Sequence, residues 1–391
     1  MDFLQQFSFL YDGVVALFTG DGWKNLIMFV IGGLLIYLAL VKDFEPALLM
    51  PMGFGAILVN LPFSGAVNQM NEGLGKEVVG IIDWLFEVGI EASEAMPLLL
   101  FIGIGAMIDF GPLLSNPKML LFGAGAQFGI FLTVLLAAFF FPFQEAAAIG
   151  VIGAADGPTS LLVSQVLKSE YTGAIAVAAY SYMALVPIIQ PAAIRLVTTK
   201  KERCIRMPYN PKSVSRKTRI LFPIIVTIIA GLVAPASVSL VGMLMFGNLL
   251  RECLKLDSLS QTAQTTLANL ITILLGLTIS SSMKADAFVR IDTIVIMCLG
   301  LVAFVFDTIG GVMLAKLMNL FLPKDKKINP MVGGAGISAF PMSARVIQKM
   351  ALKEDNQNHL LMHAVGANVA GQIGSVVAGG IILTVVPQLI K

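Results

Sequence analysis

The chain has 391 residues, 57% of them hydrophobic and only 13% charged, with a formal net charge of +2 and a mean hydropathy of +0.86. Soluble domains carry about 25% charged residues, so a water-soluble globular domain is excluded; no basic patch interleaved with aromatics points to nucleic acid. Cys204, Cys253 and Cys298 are scattered without a CxxC pair, so neither a metal site nor a disulfide framework is implied.

In chain order, "MDFLQQFSFLYDGVVALF" lacks the basic start of a signal peptide, and residues 1–24 read as an amphipathic helix lying on the bilayer. Apolar runs near the length that spans a bilayer, about 20 residues, follow at 25–41, 119–141, 173–198, 220–233, 264–279, 293–317 and 374–388. Shorter or broken runs lie at 46–62, 79–90, 97–108, 145–165, 237–250 and 330–347. The pattern predicts an all-α polytopic membrane protein with about ten to eleven transmembrane segments. Residues 200–219 carry eight Lys or Arg against one Glu, which places this loop on the cytoplasmic side.

The chain looks doubled. "MIDFGPLL" (107–114) has an echo in "MLMFGNLL" (243–250), and each half then runs through a long apolar span into a stretch of small residues and breakers. We divide it into N-terminal membrane segments (25–96), a first repeat (97–199) with a broken helix at 153–160, the basic loop (200–219), and a second repeat (220–391) with a broken helix at 329–346. Segment 264–279 is surplus in the second half. Halves with Gly/Pro-interrupted segments in corresponding places suggest a transporter whose site lies where the broken helices meet.

The first break, "GAADGPTS" (153–160), puts a carboxylate beside two helix breakers. Irregular backbone at bilayer depth survives only where protein or a water-filled cavity surrounds it, and Asp156 costs about 3 kcal/mol there unless partnered. Freed carbonyls, Asp156 and the hydroxyls of Thr159 and Ser160 form an oxygen-only set suited to a hard cation such as Na⁺. The same residues also suit a plain helix cap. Further polar groups in apolar surroundings are Tyr180, Ser181, Tyr182 and Gln190; Asn329, Ser338, Ser343 and Arg345; and His363, Asn368, Gln372 and Ser375. Gly366, Gly371 and Gly374 read as a helix-packing face.

The stretches "FIGIGAMIDFGPLLSNP", "GAADGPTSLLVSQVL", "YSYMALVPIIQPAAIRLVTTKKER", "NPMVGGAGISAFPMSARVIQKMA" and "HLLMHAVGANVAGQIGS" resemble the beta subunit of biotin-dependent, sodium-pumping decarboxylases. The resemblance runs from about residue 25 to the C-terminus. It implies a fold of two inverted repeats in the bacterial cytoplasmic membrane, around a homotrimeric core. It also implies a carboxyltransferase alpha subunit, a biotin carrier subunit that delivers carboxybiotin, and a small membrane subunit. Carboxybiotin would lose CO₂ here, consume a proton and drive Na⁺ outward.

Carried over by position, the resemblance makes Asp156, Asn368, Ser338 and Gly333 the Na⁺ site and Tyr182, Ser338 and Arg345 the catalytic residues, Tyr182 as a proton relay; Asn329, Gly333, Ser338 and Arg345 fall on functional positions. Ser338 would serve the cation or the proton path, and Arg345, with Asn329, would hold carboxybiotin, Arg345 gripping its carboxylate by a bidentate contact. From the residues alone, Tyr182 reads equally as a buried tyrosine on a carbonyl, Arg345 as a snorkelling arginine, and Gly333 as backbone freedom. Ala367 stands where the resemblance implies Pro in many relatives. The short N-terminal region leans towards the acyl-CoA enzymes over oxaloacetate. The competing expectation is a Na⁺-coupled carboxylate carrier without decarboxylation.

Overall fold

The structure, a computed structural model, describes residues 11–42, 46–71, 76–92, 94–209, 214–323 and 326–390. Its helices in chain order begin with α1 Asp12–Phe18, α2 Gly22–Lys42, α3 Pro46–Val59, α4 Ile81–Phe86, α5 Ala95–Met107, α6 Gly111–Ser115 and α7 Leu120–Ala126. Next come α8 Phe128–Ala137, α9 Phe143–Gly150, α10 Gly157–Val166, α11 Thr172–Val197, α12 Lys200–Arg203, α13 Arg216–Val233 and α14 Val238–Glu252. The last are α15 Asp257–Thr262, α16 Ala268–Ile279, α17 Ala285–Phe288, α18 Ile291–Phe321, α19 Pro330–Gly334, α20 Met342–Glu354 and α21 Leu361–Leu389. A short antiparallel hairpin, β1 Gln69–Asn71 with β2 Lys76–Val78, pairs Gln69 with Val78. Of the surface helix expected over 1–24, residues 1–10 lie outside the described residues, and α1 covers part of the remainder.

Among the described residues, five helical stretches are long and apolar enough to cross a membrane: Gly22–Lys42, Pro117–Ala137, Leu254–Met283, Ile291–Phe321 and Leu361–Leu389. They become up to seven if the bent pairs Ile81–Glu91 with Ala95–Met107 and Thr172–Met183 with Leu185–Val197 each form one span. The other segments behind the expectation of ten to eleven are shorter helices, such as Pro46–Val59 and Phe143–Ala154, or stretches cut by Pro and Gly. Large apolar side chains on the outside, among them Phe139, Leu232 and Ile291, are exposed, as a lipid-facing surface requires.

The chain forms two compact units, one of residues up to Met96 with Asn269–Val295, the other of Pro97–Ala268 with Ile296 onward. In the first, Asn60 donates to the Met283 carbonyl at 2.9 Å and accepts the Ala285 N–H at 2.7 Å. Asp83 there pairs with Lys284 at 2.7 Å and accepts the Ser281 hydroxyl. Most of segment 264–279, surplus in the second half, thus belongs with the N-terminal helices.

The second unit is organised on α21. Its small residues let backbones meet: a Cβ on Gly371 would fall 2.3 Å from the Gly336 carbonyl oxygen, and one on Gly374 2.9 Å from that of Gly123. Gly366 has more room, its nearest neighbour being a Met119 side-chain atom at 3.3 Å. Within α11 the axis turns by 73° between Met183 and Leu185. Pro187 accounts for this bend, because it removes the N–H that would bond the Met183 carbonyl.

The described part of the basic loop is tied down by ion pairs. Thr199 and Glu202 form a capping box on α12. Arg203 meets Glu354 at 2.9 Å, Arg206 meets Asp355 at 2.6 Å and Lys316 meets Glu202 at 3.1 Å. The Arg206 guanidinium holds the Asp355 carboxyl below the usual carboxylate range.

Candidate cation site at the meeting of two helix breaks

The first break starts where α9 tightens into a 3₁₀ turn, Val151–Ala154. Ala155 follows in the left-handed region, φ +52°, at a cost for a non-glycine residue of about 1–2 kcal/mol. Asp156 then precedes α10, where Gly157 and Pro158 occupy the first helical positions. It sits in the helix-capping position, yet its side chain makes no cap bond. Instead Asp156 Oδ2 accepts the Thr159 hydroxyl at 2.6 Å and the Ser375 hydroxyl at 3.3 Å. Asp156 is 3% exposed, and no Lys, Arg or His pairs with it among the described residues. The Ser160 hydroxyl lies 3.0 Å from the carbonyls of both Val151 and Asp156, so it serves the backbone.

The second break, between α19 and α20, meets the first directly. Ser338 gives its hydroxyl at 2.5 Å and its N–H at 3.3 Å to the Ala154 carbonyl. Helix α21 clamps both breaks with one stripe, since Asn368, Gln372 and Ser375 lie four and three residues apart and so share a face. Asn368 Nδ2 donates to the Ile337 carbonyl at 2.6 Å, Gln372 Nε2 donates to the Ser338 carbonyl, and Ser375 Oγ also reaches the Gln372 carbonyl at 3.1 Å. The opposite ends of both amides, Asn368 Oδ1 and Gln372 Oε1, are buried without a partner, as is the Tyr180 hydroxyl.

Each buried polar atom left unsatisfied costs about 1–3 kcal/mol, and native structures keep few of them. Here they are oxygens on elements that meet at the two breaks, where the carboxylate of Asp156 has no counter-ion among the described residues. In membrane carriers unwound carbonyls and helix ends of this kind coordinate Na⁺, and the donor set fits a hard monovalent cation.

Asp156, Ser338 and Asn368 of the expected residues are therefore brought together. Others are placed elsewhere. The Tyr182 hydroxyl donates to the Met297 carbonyl on α18, and its ring lies against Gly300. Asn329 has its amide fully engaged: Oδ1 accepts the Met331 N–H at 3.1 Å, and Nδ2 donates to the carbonyls of Arg203 and Ile205 at 2.8 Å each. Gly333 allows α19 to touch α18, a Cβ there falling 2.1 Å from the Gly311 carbonyl oxygen. Arg345 lies exposed on the first turn of α20.

Sequence reasoning gave no role to Tyr180, whose ring packs on Gly157, a Cβ there falling 2.0 Å from Tyr180 Cε1. It also passed over Asp307, a carboxylate 1% exposed within α18. The signal for Asp307 was present: a single acid in the apolar run 293–317.

Comparison with known proteins agrees with this architecture. Residues 24–386 match the family described as the Na⁺-transporting oxaloacetate decarboxylase beta subunit. The chain is 47% identical to the methylmalonyl-CoA decarboxylase subunit beta of Propionigenium modestum over 384 residues, covering 94% of this chain and 96% of that one. It is 47% identical to the glutaconyl-CoA decarboxylase subunit beta of Acidaminococcus fermentans over 380 residues, 97% of each chain. It is 42% identical to the oxaloacetate decarboxylase beta chain of Klebsiella pneumoniae over 433 residues, 97% of this chain and 99% of that one.

Proposed function

We propose a function that starts from descent: the chain belongs to the family of Na⁺-transporting oxaloacetate decarboxylase beta subunits, and it is the multi-pass membrane subunit of a Na⁺-transporting decarboxylase. In our reading it receives carboxybiotin from a biotin carrier subunit, releases CO₂ with uptake of a proton, and uses that free energy to move Na⁺ outward. The carrier is charged by a carboxyltransferase alpha subunit, a small membrane subunit completes the complex, and the core is a homotrimer in the bacterial cytoplasmic membrane. Na⁺ is cargo, and biotin belongs to the partner.

The observation that carries this reading is the meeting of the two breaks at Ser338 and Ala154, with unpartnered oxygens of Asn368 and Gln372 on the same helix, α21, whose Ser375 bonds Asp156. We assign Asp156, Asn368 and Ser338 to the Na⁺ path. Gly333 enters through packing, by letting α19 approach α18. Tyr182 is the proposed proton relay, which requires its hydroxyl to leave the Met297 carbonyl during the cycle. Asn329 fixes the start of α19 beside the basic loop.

Arg345 is proposed to hold the carboxylate of carboxybiotin. It lies nine residues before Glu354, which is paired to Arg203 of the basic segment, hence about 13 Å further along the helix at 1.5 Å per residue. Side chains lean towards the N-terminus of their helix, so Arg345 is directed away from the Glu354 end. Snorkelling towards that end would run against the lean.

An acyl-CoA is the proposed ultimate substrate. The acyl-CoA relatives align over 384 and 380 residues, whereas the Klebsiella oxaloacetate chain needs 433, so this 391-residue chain lacks insertions that the latter carries.

The test is carboxybiotin decarboxylation by the complex reconstituted in liposomes, following ²²Na⁺ uptake beside CO₂ release. CO₂ release that requires Na⁺, with uptake tracking it, is the expected result. Na⁺ movement driven by an added carboxylate with no CO₂ would replace the pump with a carrier.

A further inference from the structure

Asp307 sits near the middle of α18, 1% exposed, with no ion pair among the described residues. Its Oδ1 accepts the Ile130 N–H at 3.0 Å. That amide is free because the helix is interrupted at Gln127, so α8 starts with unpaired donors. Two glycines close around the carboxylate: a Cβ on Gly129 would fall 2.4 Å from Oδ1, and one on Gly153 2.7 Å from Oδ2. The hydroxyls of Thr308, the next residue, and Thr133, one turn beyond Ile130, are buried without partners.

Capping α8 accounts for Oδ1 only. Asn caps a helix as well as Asp does, so a cap gives no reason to bury an ionisable group in a span. Oδ2 offers the reason, since it presses on Gly153 in the 3₁₀ turn that leads to Asp156. Three residues of chain reach at most about 10 Å, so two carboxylates bracket one short turn, neither with a cationic partner. With both side chains counted the two groups lie within about 15 Å of each other, where ionising both, at an effective dielectric near 20, weakens either charge by roughly five- to tenfold in binding terms. The elements around Asp307 add no other charge: α7, α8 and Val151–Ala154 contain no titratable residue, α11 faces α18 with the phenol of Tyr182, and on α18 itself the nearest such groups are Cys298 and Lys316, nine residues away on either side.

We propose that Asp307 is a proton-binding site linked to the cation site at Asp156, taking up a proton as Na⁺ leaves and releasing it as Na⁺ binds. The inference rests on the reading of Asp156 as the Na⁺ site. The cradle selects the proton: a hard metal ion needs several oxygens around it, and the glycine contacts leave no such space, whereas a proton needs none. The step is carboxylate plus proton giving carboxylic acid, with no other reactant.

The experiment is Na⁺ binding to the purified complex by calorimetry in two buffers of different ionisation enthalpy, between pH 6 and 8, which counts protons released per Na⁺. In Asp307→Asn the amide oxygen still accepts the Ile130 N–H, so assembly and melting stay as in the wild type. Proton release should fall by up to about half a proton per Na⁺, and the change of Na⁺ affinity with pH, at most about tenfold in total for a coupling of that size, should flatten. Asp307→Asn releasing as many protons as the wild type reduces Asp307 to a cap and overturns the proposal. So does a wild type that binds Na⁺ without releasing protons, whatever the variant does. Asp156→Asn binding Na⁺ normally would instead remove the Asp156 reading, a separate failure.

Discussion

Gly157→Ala probes how tightly the first break is built. The added Cβ would lie 2.0 Å from Tyr180 Cε1 and 2.4 Å from Cδ1 and Cζ, where ordinary contact begins at 3.4 Å. Either the ring or the start of α10 must therefore retreat by about 1.4 Å, and a ring 2% exposed has little free space, so overpacking of about 1–3 kcal/mol is expected. Gly157 adjoins Asp156, and a retreat of that size carries the Asp156–Ser375 contact from 3.3 Å out of hydrogen-bond range. Unfolding in detergent should report the lost stability, and a Na⁺ isotherm a fall in affinity of roughly tenfold, the equivalent of about 1.4 kcal/mol. Adding Tyr180→Leu should recover most of the stability, with a coupling of about 1 kcal/mol or more in a double-mutant cycle. A Gly157→Ala protein within about 0.5 kcal/mol of the wild type, the range of inert substitutions, would refute the packing argument.

Other variants separate the roles at the site. Asp156→Asn should keep the complex assembled while abolishing Na⁺-stimulated turnover; Na⁺ dependence equal to wild type would remove Asp156 from the site. Tyr182→Phe should lose about 1 kcal/mol with its bond to the Met297 carbonyl and slow CO₂ release without changing Na⁺ affinity. Unchanged CO₂ release would leave Tyr182 as a tie between α11 and α18. Arg345→Ala should leave stability within about 0.5 kcal/mol, as at exposed positions, and raise the carboxybiotin concentration needed for half-maximal turnover by tenfold or more, with Arg345→Lys recovering only part because it cannot grip bidentately. A rate unchanged in Arg345→Ala would return it to the snorkelling reading.

Much of this arrangement was legible in the residues. A carboxylate followed by Gly157 and Pro158 fixes where a span must break, and the second run of small residues fixes its counterpart, so a meeting of two breaks was expected. Which side chains face that meeting is set by tertiary partners. Tyr180 and Tyr182 are two residues apart, about 200° round a helix, so only one can face Gly157, and the motif does not say which. Asn329 looked available, yet its oxygen caps the Met331 N–H two residues on and its nitrogen is used by the carbonyls of Arg203 and Ile205, the latter contacts across more than a hundred residues that no local pattern announces. Asp307 was hidden for the opposite reason. Its span is so uniformly apolar that a single acid did not disturb the reading of a plain transmembrane helix.

The two amides on α21 show why the site has a direction. Asn368 and Gln372 each spend their nitrogen on a carbonyl of the second break, and an amide so anchored must turn its oxygen the other way. The orientation is set by the backbone of Ile337 and Ser338, so the unpartnered oxygens are fixed dipoles that need no rearrangement when a positive charge arrives. Ser338 also holds the Ala154 carbonyl, two residues before Asp156. A shift of the second break would therefore move the amide oxygens and the carboxylate segment together. That mechanical link would serve the proposed pump, in which a chemical event felt at one break would change the coordination of the ion proposed at the other.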